Sequence, residues 1–203
     1  DQEIEYYSDV TQLEPKKEKL RDAVKYWICD KMKMTSRLSV ATINDAIYEV
    51  KLGSTTIGGE DVSIPNVGFG VSQILPIIVE GLRRPKGSLV IFEQPEIHLH
   101  PRMQAELADF IICLALAEKY IIVETHSDHL INRIKRRLVE DKANKLSRYI
   151  GIYFAQHGDN GSIFQQINLD DFGCLEIWPE GFFDQADIEN RAILKAQFDK
   201  MKG

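Results

Sequence analysis

Two stretches of the chain carry unbroken apolar runs that stop at an acid. Leu89 to Phe92 (LVIF) runs into Glu93, and Tyr120 to Val123 (YIIV) runs into Glu124. Neither run alternates, so each reads as a strand of a parallel sheet, buried on both faces. Helical spacing fills the intervals. A helix is predicted from Val71 to about Leu82. A second opens at Pro101 and puts Met103, Leu107, Phe110, Ile111 and Leu114 on one face. A third starts after Ser127, whose hydroxyl suits an N-cap, and a further strand falls near Tyr149–Ala155. Strands alternating with helices predict an α/β fold, a parallel sheet flanked by helices on both faces.

The flanks read differently. Residues 1–36 are charged, with a helix predicted from about Pro15 to Met34. Pro15 suits a first helical position, and Leu20, Val24, Trp27 and Ile28 form an apolar stripe. RLSVATI and AIYEVKL alternate and predict a pair of strands, followed by the glycine- and serine-rich loop GSTTIGGEDVS. Near the end, two short strands flank the turn HGDNG, and a helix runs over about Gln185–Met201. The predicted organisation is a charged helical segment (1–36), a central α/β domain (37–148) and a small C-terminal α+β extension (149–203).

Composition narrows the function classes. With 203 residues, 44% of them hydrophobic, the chain can bury one sizeable core and a small appendage. A formal charge of −6 provides no whole-surface attraction to DNA, RNA or an anionic membrane. No run of about 18 apolar residues predicts a membrane span. The first residue is Asp1 and no secretory signal follows, which suggests a processed, truncated or cloned segment. Cys29, Cys113 and Cys174 are far apart and odd in number. They suit a reducing cytosol, each as a small buried hydrophobe rather than a disulfide or zinc ligand.

Ligands of open parallel sheets bind outside the carboxyl ends of the strands. Both polar outbursts lie there, Glu93-Gln94-Pro95-Glu96 after one strand and Glu124-Thr125-His126-Ser127-Asp128-His129 after the other. A third feature, NVGFGVSQ, ends at a helix N-terminus, where unpaired N–H groups attract anions. Carboxylates for a hydrated cation, an imidazole and a glycine-rich helix start together describe a nucleotide-phosphate site.

The order of these motifs (VGFGVSQ, then a strand ending in EQPEIHLHP, then a strand ending in ETHS) resembles the C-terminal half of an ABC-type ATPase head. Within that class it looks closest to the OLD/RecF/SMC lineage. The tail IWPEGFFDQ resembles a C-terminal domain of unknown function attached to such prokaryotic ATPases. The resemblance implies a P-loop NTPase fold, ATP and Mg2+ as cofactors, and a homodimer with ATP sandwiched between heads. It implies that Glu93 holds the magnesium, usually through water. Gln94 stands where a general base polarises the attacking water, and His126 where a switch histidine senses the γ-phosphate. Pro95 to His100 match the D-loop, which contacts the partner subunit. Val67 to Gln73, with Gly68, Gly70, Ser72 and Gln73, match the signature that closes over the opposite subunit's ATP.

Two departures matter. Gly68 replaces the signature's usual Ser, and Gln94 cannot accept a proton as Glu does. Glu96 or Glu124 is left as a substitute base; alternatively hydrolysis is slow and ATP acts as a clamp. A larger departure is that G-x-x-x-x-G-K-[ST] occurs nowhere in the sequence. The chain therefore reads as an ATPase head lacking its P-loop half, inactive alone, cytoplasmic and completed by an N-terminal half. Such heads serve DNA repair, chromosome organisation and phage defence.

Other readings accompany this one. A degenerate nucleotide site could make the chain a non-catalytic interaction module. His98, His100, His126, Asp128 and His129 include metal-ligating types, the basis for a metal-dependent hydrolase. The basic run NRIKRR reads as a solvated face or as a DNA contact, and Trp178, Phe182 and Phe183 as core or a docking surface.

Overall fold

A computed structural model describes residues 2–44, 47–53, 61–64, 68–159, 161–170, 173, 179, 181–183 and 185–202, apart from the side chains of 69, 186, 187 and 202. Two compact units, Asp1–Arg137 and Leu138–Gly203, divide the chain.

The first unit opens with β1 (Glu3–Tyr6), which alternates exposed acid with buried Ile4 and Tyr6. It pairs antiparallel with β2 (Lys16–Lys19), Glu3 opposite Lys19 and Tyr6 opposite Lys16. The helix predicted from Pro15 is thus corrected. Opposite charges across the ladder and the bond from Tyr6 Oη to Glu18 Oε2 (2.9 Å) hold Lys16–Lys19 extended. Helix α1 begins only at Leu20 (Leu20–Lys25) and widens into a π-helical turn over Tyr26–Lys31. Of its predicted apolar stripe, Val24, Trp27 and Ile28 are buried and Leu20 is half-buried.

The predicted strand pair is present as β3 (Leu38–Asn44) and β4 (Ile47–Leu52), antiparallel, and β4 also pairs with β5 (Val62–Ser63). Most of the predicted loop after it lies outside the described residues. Helix α2 (Phe69–Arg83) packs on α3 (Pro101–Leu116). Ile74, Ile78 and Leu82 of α2 and Leu107, Phe110 and Leu114 of α3 are buried, with Trp27 edge-on to Phe110 at 5.0 Å between ring centroids. The two helices approach closely at Gly81, where a Cβ would lie 2.7 Å from Leu114 Cδ1 and 2.9 Å from Phe110 Cζ.

Strand β6 (Leu89–Glu93) pairs in parallel with β7 (Tyr120–Glu124), Leu89 opposite Tyr120 and Glu93 opposite Glu124. Lys119, buried just before β7, caps the end of α2 by donating to the carbonyls of Gly81 (2.7 Å) and Leu82 (3.0 Å). Helix α4 (Asp128–Glu140) follows β7.

The sheet differs from expectation in two ways. Among the described residues its parallel part is this one pair. One face of the pair buries Phe92, but the other leaves Leu89 60%, Ile91 57%, Tyr120 69% and Ile122 54% exposed. The continuous apolar runs do predict burial on both faces; the residues described here cover only one.

In the second unit, the strand expected near Tyr149–Ala155 is β8 (Ile152–Gly158). It pairs antiparallel with β9 (Gly161–Ile167), the two strands expected to flank HGDNG, and does not extend the parallel sheet among the described residues. The short turn makes local pairing the easiest closure. Phe154 meets Phe182 edge-on at 5.5 Å and Phe182 meets Phe183 at 5.0 Å, so the expected aromatic cluster exists; Trp178 lies outside the described residues. Helix α5 (Gln185–Lys202) ends the chain.

Cys113 is buried, and burial pushes its thiol up; Cys29 is half-buried and shifted up for the same reason. Cys174 lies outside the described residues. Among the described residues no helix is long and apolar enough to cross a membrane.

Candidate nucleotide site at the ends of two parallel strands

The parallel register fixes the geometry of the rim. Alternate residues share a face, so Glu93 and Glu124 stand side by side on the open face, above Ile91 and Ile122. Two carboxylates directly opposite repel each other. Glu124 Oε1 accepts from Gln94 Nε2 at 3.2 Å and lies 3.9 Å from His126 Nε2, while no described residue pairs with Glu93. All of these groups are solvent-accessible. Among the described residues the site therefore has two carboxylates as oxygen donors and an adjacent imidazole, fewer groups than would by themselves cage a metal ion, and its paired carboxylates favour a hydrated cation over a bare anion.

The turn after β6 is tightly tied. Gln94 N donates to Glu124 O (2.8 Å), Ile97 N to Gln94 O (3.2 Å) and Leu99 N to Glu96 O (3.0 Å). Gln94 (φ +45) and His98 (φ +62) both hold left-handed backbone, which costs a non-glycine residue about 1 kcal/mol or more. Glu96 turns inward and is buried; its Oε1 accepts from the backbone N–H of His126 at 2.8 Å. Its Oε2 is buried with no hydrogen-bond partner.

His100 caps α3, its Nδ1 accepting from Arg102 N at 3.3 Å. Ser127 caps the next helix as expected, its Oγ accepting from Leu130 N at 3.0 Å.

The glycine-rich segment meets the turn after β6 through Gly70. Gly68 is exposed at the N-cap of α2, and Ser72 and Gln73 lie in its first turns. Gly70 approaches the turn after β6 so closely that a Cβ would sit 3.1 Å from His98 O. The structure thus brings together Glu93, Gln94, Glu124 and His126 on the rim, with Glu96 beneath them. It sets Gly70 against the turn, and it gives His100 to a helix end. Val67 lies outside the described residues.

One residue escaped the sequence reading. Gln104, a polar position among the apolar ones of α3, donates through Nε2 to Leu99 O (2.9 Å) and accepts through Oε1 from Ser127 Oγ (2.5 Å).

Two candidate readings change. Among the described residues no group of three or more His, Cys, Asp or Glu side chains could hold a metal ion, so the histidine-rich hydrolase site does not assemble. In the basic run, Arg133 and Arg137 point inward to Asp109, leaving Lys135 and Arg136 as its outer members.

Residues 4–131, more than half of the chain, match the AAA ATPase domain. The chain belongs to the AAA ATPase domain family. Residues 147–193 of this AAA ATPase match a family described as a protein of unknown function, DUF3696. The motif-based resemblance to an ATPase head with such a C-terminal domain is borne out. Nucleotide binding of ATPase type goes with membership, and Mg2+ is its usual companion. No curated protein matches the chain. A solved structure from work on ATP-driven dimerization and DNA stimulated activation of SMC ATPases is 14% identical, covering 73% of this chain and 83% of that chain at a TM-score of 0.49. A likeness at that level carries no argument about function.

Proposed function

We propose that this AAA ATPase chain is the C-terminal half of an ABC-type head of the OLD/RecF/SMC lineage. Its Mg-ATP site would be completed by a P-loop half and by dimerisation. The observation that carries the reading is the pair Glu93 and Glu124, side by side at the carboxyl ends of parallel strands, on the sheet face these residues leave open. A polypeptide that covered Leu89, Ile91, Tyr120 and Ile122 would bring its own groups up to those carboxylates.

Bound Mg-ATP supplies a phosphoanhydride whose hydrolysis can drive head opening. Glu93 would hold the magnesium, and Gln94, which cannot take a proton, would orient the attacking water. His126 would offer its imidazole to the γ-phosphate. Glu124, exposed and 3.9 Å from His126 Nε2, is the accessible carboxylate for accepting a proton. Gly68, Gly70, Ser72 and Gln73 face the opposite subunit's nucleotide, and His100 belongs to the D-loop at that interface. The protein works in the cytoplasm of a prokaryote, and the cycle moves a DNA-related or phage-defence effector.

The test is Gln94→Glu in the complete, P-loop-containing protein. A restored base is worth about a hundredfold or more in turnover. An increase of that kind supports a live site tuned slow. The engagement of Gln94 Nε2 with Glu124 favours a second reading, a non-catalytic interaction module. If neither form binds ATP, that reading replaces the first.

A further inference from the structure

Sequence suggests Glu96 as a catalytic acid, yet its side chain is turned away from the rim. Its relative exposure is 7%, and one oxygen is spent on the His126 backbone N–H at 2.8 Å. That bond joins the turn after β6 to the loop after β7. Gln104 makes a second link between the same two loops, to Leu99 O and Ser127 Oγ. Both links start from residues whose neighbours are constrained. Glu96 lies between left-handed Gln94 and His98, and Gln104 lies in the second turn of α3.

Resting on the reading proposed above, we propose that Glu96 is a positioning residue. With Gln104 it forms a clasp that sets His126 relative to Gln94 and passes any shift of the D-loop turn to the switch histidine. Three features support this. The strained backbone at Gln94 and His98 persists only if neighbouring bonds fix it, and the Glu96 and Leu99 bonds do so. The side chain is buried and turned away from the rim, where Glu93 and Glu124 are the exposed carboxylates. Finally, Gly70 abuts His98 O, so a movement of the signature helix reaches the clasp through the turn.

The experiment compares Glu96→Ala with Glu96→Gln, whose amide oxygen still accepts from His126 N. In this chain, hydrogen exchange of the His126 amide is read by NMR. Exchange about tenfold faster in Glu96→Ala and near wild type in Glu96→Gln is expected, as one hydrogen bond is lost or kept. In the complete protein, Glu96→Ala should lower kcat about tenfold or more with KM for ATP little changed, the mark of lost alignment. Glu96→Gln should restore most of kcat. If Glu96→Gln keeps His126 protection but is as slow as Glu96→Ala, the carboxylate itself does chemistry and the positioning role falls. Unchanged exchange in Glu96→Ala also overturns it.

Should Glu96→Ala not fold, Gln104→Met cuts the second strap. It should speed Ser127 and His126 amide exchange in this chain, and no change would sink the clasp. If no form of the complete protein turns over ATP, the ATPase reading fails, while the exchange data still decide whether the clasp exists.

Discussion

Two charged clusters on this chain are built from similar residues and do opposite things. Between α3 and α4, Asp109 is 1% exposed and held by two arginines. Arg137 grips it through Nε (2.8 Å) and Nη2 (2.6 Å), and Arg133 adds Nη1 at 3.2 Å while its Nη2 reaches Glu106 at 3.4 Å. At the rim, Glu93 and Glu124 are exposed, set side by side, and held by one amide and a distant imidazole. The first cluster is mostly buried and pairs its charges with one another. The second has most of its bonding capacity left for something outside the described residues. Charge alone does not mark a functional site; charge left uncommitted in a defined geometry does.

The sharpest way to break that contrast is to remove one member of each cluster. Asp109→Ala would strand two mostly buried guanidinium groups and should cost about 3–5 kcal/mol, read by urea denaturation. A loss below 1 kcal/mol would mean that the pair is solvated and the clusters are alike. On the same packed side, Gly81→Ala forces a methyl against Leu114 and Phe110 and should cost about 1–3 kcal/mol with an unchanged m-value.

Lys119 offers a pH test. Burial pulls it down to about 8 from its ordinary value near 10.5. Between those values the unfolded chain binds more protons than the native one, so this residue makes stability rise with pH. The slope is at most about 1.4 kcal/mol per pH unit. It should be seen above pH 8 and vanish in Lys119→Met; a slope unchanged in that variant would contradict it. Tyr6, pushed up by burial and by Glu18, opposes the rise above pH 10, where only the unfolded tyrosine ionises.

The smallest effect belongs to the rim. Glu124→Gln relieves repulsion with Glu93 and should change stability by no more than about 0.5 kcal/mol. The variant should also lose any stabilisation that millimolar Mg2+ gives the wild-type chain. A large destabilisation in Glu124→Gln would make the rim a structural cluster after all.

Much of this was legible before any coordinates. LVIF and YIIV are strands, Pro101 opens a helix, Ser127 caps one, and the stripe of Val24, Trp27 and Ile28 is buried, because each rests on local periodicity or on a side chain reaching its own backbone. The polar residues after the two strands share a rim because parallel pairing of adjacent βα units puts like ends together. What failed depended on distant partners. Lys16–Lys19 reads as helix until β1 pairs with it. Arg133 and Arg137 look like a solvated face until Asp109 appears beneath them.

The sequence by itself determined which residue types gather at the strand ends, since spacing and hydrophobic pattern are properties of the chain. Only the tertiary structure decided which of those residues stay available. Glu93, Glu96 and Glu124 are chemically near-identical, and a few ångströms of packing leave two open to solvent and turn the third inward to hold His126 in place. A carboxylate's role follows from its hydrogen-bond partners and its burial, and both are set by residues far along the chain.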